Sequence, residues 1–120
     1  MSHNPAPFQL VRVQMTYRED EKDSFQIMVP VDQDGRICVD EFYGHFIDEG
    51  EMYPVLIAED GEGDTVLRYL VDWGWGEKSC THIEILSRPL AINQEVWRED
   101  VSSNGRDRYC YEIRSITPLL

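Results

Sequence analysis

Tyr53, Trp73 and Trp75 are the residues of this 120-residue chain whose types and spacing point most directly to binding chemistry. Trp75 stands between Gly74 and Gly76, where the segment Tyr69-Leu70-Val71-Asp72-Trp73 reads as a strand running into a turn. A ring held in a turn is costly unless it packs or binds, and an aromatic face attracts an ammonium group. Asp72 and Glu77 would reinforce that attraction. The competing account is packing: Leu67, Tyr69, Val71 and Trp73 alternate along one side of the strand, which puts Trp73 with a core. A pocket of Tyr53, Trp73 and Trp75 that takes a small ligand or peptide is thus one expected function.

Charge supplies the other leading expectation. Between Glu19 and Asp64 fifteen carboxylates stand against two basic residues, Lys22 and Arg36, in a chain whose whole formal charge is −12. The acidity is therefore a block, and blocks of one sign face solvent or a partner of opposite sign. Its members cluster in the expected turns 19–23, 48–51 and 59–64, and turns are hydrophilic in any soluble protein. What solubility alone does not require is the shortage of Lys and Arg among them. The first expected function is a non-enzymatic cytoplasmic domain docking on a basic protein partner through Glu19, Asp20, Glu21, Asp23, Asp48, Glu49, Glu59, Asp60 and Glu62. An inhibitor, an immunity protein or a nucleic-acid mimic would be concrete forms of it. The same charge argues against direct binding of nucleic acid or of an anionic membrane.

Other chemistries are less supported. Asp32-Gln33-Asp34-Gly35 and Asp60-Gly61-Glu62-Gly63-Asp64 gather oxygen ligands, but neither has the spacing of a calcium loop, and hairpin turns use Asp and Gly for backbone reasons. Cys80 and His82 fall two apart on a strand, and Cys38, Cys110 or His45 would have to complete a zinc site whose spacing is not diagnostic. No metal or cofactor is expected. His45 and His82 are the available imidazole bases of a small enzyme, the third reading, and no nucleophile elbow, phosphate loop or dinucleotide fingerprint accompanies them. Three cysteines without a Cys-x-x-Cys pair suit reduced thiols in a cytosol, and no apolar run is long enough to span a membrane.

The elements that position these residues are mostly strands. Val11, Val13, Met15 and Tyr17 alternate with polar residues, as do Phe25, Ile27, Val29 and Val31, and the two runs should pair as a hairpin. Asp34-Gly35 is an expected turn, followed by a short return strand over 36–39. Phe42, Tyr43, Phe46 and Ile47 give a helical stripe, with Asp40 as N-cap and Gly50 past the end, although Gly44 weakens it. Five further strands are expected over 53–59, 65–73, 81–87, 92–100 and 108–117, with a sharp turn at Asn104-Gly105. The expected fold is mainly β: α+β with one short helix, in which a small, SH3-like antiparallel barrel over 51–120 carries an N-terminal hairpin extension over 8–50. Residues 1–7 are expected to be disordered, and the chain to form one domain. An uncovered edge on the long hairpin strands would allow a homodimer.

Overall fold

The computed structural model describes residues 8–60, 66–74, 81–86 and 88–119, and every regular element among them is a β-strand. In chain order these are β1 (Gln9–Tyr17), β2 (Ser24–Val31), β3 (Glu41–Asp48), β4 (Glu51–Glu59), β5 (Val66–Asp72), β6 (Thr81–Leu86), β7 (Glu95–Ser102) and β8 (Gly105–Pro118). Each pairs antiparallel with the next, and β8 returns to β1, so the sheet closes as an eight-stranded barrel. Eight strands leave an interior just wide enough for side chains to fill. Val13, Val29, Ile57, Val71, Ile83 and Ile113 have no solvent exposure at all and form its centre.

The alternation read from the sequence holds for the first hairpin. Val11, Val13 and Met15 on β1 and Phe25, Ile27, Val29 and Val31 on β2 all point inward, with Met15 opposite Phe25 and Val11 opposite Val29. The hairpin is not an extension, however. β1 lies between β2 and β8, and β2 between β1 and β3, so the edges expected to be open for self-pairing are occupied within the chain. The five-stranded SH3-like arrangement gives way to an up-and-down barrel because the inward face of this hairpin needs the same interior as the later strands.

The expected helix is a strand. Phe42, Gly44 and Phe46 point into the barrel, while Tyr43, His45 and Ile47 point out, and Tyr43 is 64% exposed. The stripe at i, i+1, i+4 and i+5 is equally compatible with period two once Gly44 is read as an inward position. Gly50 was expected to end a helix and instead ends a hairpin: Glu49 and Gly50 both have positive φ, 51° and 82°, as a type I′ turn demands. Helix ends and tight hairpins need the same backbone freedom, which is why one glycine suited both readings.

β8 is 14 residues long and serves two neighbours. Its residues 105–112 pair with β7, and 111–118 pair with β1. The β1 register slips between Gln14 and Met15, whose partners are Ser115 and Ile113, so Arg114 is an extra residue that bends the strand. That bulge brings both Ile113 and Ile116 to the inward side, against Met15 and Val13.

One end of the barrel is covered by its connections. The expected return strand over 36–39 makes only an isolated bridge, Val31 to Ile37, and Ile37 and Val39 pack on the core there. Asp32 organises the preceding turn, its Oδ1 accepting from the amides of Asp34 and Arg36 at 2.9 and 3.0 Å. From the β6–β7 connection, Leu90 packs on the same core, and its amide donates to the Gly35 carbonyl at 2.9 Å.

Two outer walls differ in character. On β5–β8, Arg68 bonds Glu84 at 3.1 Å, Arg108 reaches Glu84 at 3.4 Å, and Arg108 lies over the Trp97 ring. On β2–β4 the register sets Met28, Tyr43 and Leu56 side by side, then Gln26, His45 and Pro54, then Ser24, Ile47 and Met52. No charged residue occupies these nine positions.

Candidate functional site

Opposite the covered end, inward-facing residues from four strands, with Trp73 just past a fifth, line a cavity of about 470 Å³. Its walls are Phe46 and Asp48 from β3, Tyr53 from β4, Trp73 just past β5, Thr81 from β6, and Arg98 and Asp100 from β7. Alternation explains the set: Phe46 and Asp48, Thr81 and the buried Ile83, and Arg98 and Asp100 are each two residues apart on a single strand face.

Phe46 is the floor. Its inner side stacks on Phe25 at 4.1 Å and 7°, and the Trp73 ring lies 5.0 Å away at 29°. Tyr53 meets Trp73 edge to face, with centroids 6.2 Å apart at 81°. The Trp73 indole N–H donates to Thr81 Oγ1 at 3.1 Å, which fixes the ring's rotation. The Tyr53 hydroxyl donates to Glu51 at 2.9 Å, and this bond to a carboxylate raises its pKa.

Arg98 is the one cation among the described residues of the lining. Its Nε donates to Asp100 Oδ1 at 3.0 Å and its Nη2 to Oδ2 at 2.9 Å, a bidentate pair, with the Tyr111 phenol oxygen as a further acceptor. The guanidinium carbon also sits 4.6 Å from the Phe46 centroid, 5.2 Å from Trp73 and 5.4 Å from Tyr109. Burial pulls this group's pKa down, but the bond and charge of Asp100 outweigh it and the net shift is upward. Burial raises the phenols of Tyr109 and Tyr111; nearby carboxylates add to this and Arg98 opposes it. At neutral pH the floor therefore holds a charged guanidinium among neutral rings. The Asp48 carboxylate, by contrast, makes no hydrogen bond or ion pair with any described residue; only the residue's backbone is engaged, in the ladder with Glu51.

Of the expected pocket residues, Tyr53 and Trp73 come together here, and Trp75 lies outside the described residues. The expected docking residues separate. Glu19, Asp20, Glu21 and Asp23 form the β1–β2 turn beside Asp48 and Glu49, and the Glu49 amide donates to Asp23 Oδ1 at 3.4 Å. Glu59 and Asp60 lie at the far end of β4, roughly 25 Å along the strand, and Glu62 is outside the described residues. Asp60 is engaged, at 2.9 Å from His82 Nε2 on the outer wall.

Neither imidazole faces the cavity: His45 points outward between Gln26 and Pro54, and His82 outward to Asp60. Cys80 is outside the described residues, and no group of three or more potential ligands that could hold a metal occurs among those described. The sequence reading missed Arg98, Asp100, Phe46 and Thr81 as site residues. One signal was present: in the alternating run Val96-x-Arg98-x-Asp100 two charged residues continue the inward face of a strand, which a packed barrel accepts only where it opens.

No protein-family model, curated protein or solved structure matches this chain.

Proposed function

We propose that this chain is a small-molecule-binding barrel whose binding site is its mouth. The cavity carries the reading: about 470 Å³ lies within the range of ligand sites, and it joins three rings, Phe46, Tyr53 and Trp73, to a few convergent polar groups. Small closed barrels hold a single ligand in this way, with the packed interior below acting as a rigid base. A ligand-observed NMR screen of small fragments tests it, run on the wild type and on Tyr53→Ala. Hits should compete for one site and weaken about tenfold or more in the variant, as loss of a ring contact implies. Hits that bind the two proteins equally would place binding elsewhere.

A second reading is favoured by the Asp23–Glu49 contact, which joins two turns into one acidic rim beside the mouth. There Glu19, Asp20, Glu21, Asp23, Asp48 and Glu49 form a smaller version of the expected docking face for a basic protein. Its test is salt-dependent retention of one basic protein from host lysate. Retention should be lost on combining Glu19→Gln, Asp20→Asn and Glu21→Gln, and kept in Asp60→Asn; equal loss in both would remove the rim from consideration.

A further inference from the structure

The charge inventory of the mouth decides what kind of molecule it suits. We infer that its ligand is an organic cation, an ammonium group carried on a small apolar body, with Asp48 as counter-charge and Tyr53 and Trp73 as the ring faces that receive it. The inference rests on the pocket reading above and adds the chemical class of its occupant.

Three observations carry it. First, the described residues of the lining include two carboxylates and one guanidinium, and that guanidinium is already bound bidentate by Asp100 and covered by three rings. An anionic ligand would have to compete with Asp100 for Arg98, and would do so facing Asp48. Second, Asp48 is exposed at the mouth with no cationic partner among the described residues, and the rim next to it adds Glu49 and Glu51. The net formal charge of the described lining is therefore negative, which draws a cation to the Asp48 side of the cavity, away from Arg98. Third, Tyr53 and Trp73 line the cavity together with Asp48, their rings meeting edge to face at 81°, so aromatic surface borders the same volume as that carboxylate. Ring faces favour cations over neutral groups of the same shape, and Phe46 and Trp73 accept the apolar body.

Titration by NMR with three probes of nearly one shape tests the inference: choline, the neutral 3,3-dimethylbutan-1-ol and the anion 3,3-dimethylbutanoate. Choline should shift the Trp73 indole N–H and bind about tenfold more tightly than either of the others. Asp48→Asn should weaken choline several-fold; this residue is exposed and its loss breaks no bond, so the variant remains a folded control. Arg98→Met releases the Asp100 carboxylate into the cavity and should tighten choline. The alcohol binding as well as choline, or the carboxylate binding best, would overturn the cation while leaving the pocket intact. Silence of all three probes, with fragments from the screen above still binding at Tyr53, would also overturn it. Silence of probes and fragments alike would instead remove the pocket reading itself.

Discussion

Gly44 shows how one missing methyl group sets the geometry under the site. A Cβ there would sit 2.5 Å from the Gln26 carbonyl oxygen, 3.1 Å from Ile27 Cγ2 and 3.3 Å from Phe25 Cε1. The nearest of these is backbone, so relief would require β2 and β3 to part just where Phe25 and Phe46 stack beneath the mouth. Gly44→Ala should cost about 3 kcal/mol, the upper range of overpacking, seen as a lower denaturant midpoint with unchanged slope. An unchanged midpoint would mean that the two strands separate freely. The same residue explains a misreading: glycine counts against a helix, yet its smallness also hides an inward strand position from any hydrophobic pattern. Tyr53 and Trp73 were legible because ring type alone marks them. Arg98 was not, since its role depends on which face of β7 is interior, and that is set by pairing with β6 and β8.

Among elements, β8 is the most informative. Existence and order of the later strands could be read from turn residues, and observed ends differ by a few residues from those expected; the segment 92–94, expected as strand, is a turn with Asn93 at positive φ. What no local pattern disclosed is that β8 divides its length between two partners, because the stagger that closes a barrel is a property of all eight strands together. Its residues 105–109 pair with β7 alone among the described strands, while 111–112 are flanked on both sides and 113–118 are bonded to β1. Hydrogen exchange should separate these parts, with amides of Arg106–Tyr109 exchanging as a group well before those of Tyr111–Ile113, which have partners on both sides. Uniform protection along the strand would show that something else covers the free half. The charged run Arg106-Asp107-Arg108 is what keeps such an edge from recruiting another strand.

For the molecule as a whole, the acidic block illustrates the distance between chain order and space. Its residues are neighbours in sequence, but every strand crosses the full barrel, so consecutive turns alternate between the two ends. Charge composition was legible and a single acidic face was not. High pH probes the whole fold through its tyrosines. Burial, aided by Glu59 and Asp40, pushes Tyr69 up to about 12 from the ordinary 10, and the bond to Glu19 pushes Tyr17 up to about 12. Both shifts favour the neutral phenol in the folded state. Stability is therefore complete below pH 10 and falls as pH rises to 12, where unfolded tyrosines ionise first. For Tyr69, which is 2% exposed, the loss approaches about 3 kcal/mol. Urea midpoints measured from pH 8 to 12 should show a shallower decline in Tyr69→Phe, and parallel declines would exclude this tyrosine as a cause. The closure of β8 onto β1 also has a price during translation. It joins Thr16 to Arg114 and Gln14 to Ser115, 98 and 101 positions apart. At roughly 5–20 residues per second the ribosome takes on the order of ten seconds between making the two strands. Throughout that interval the nascent chain carries β1 with one edge unpaired, so its demand on chaperones is greatest in synthesis and ends when the last strand arrives.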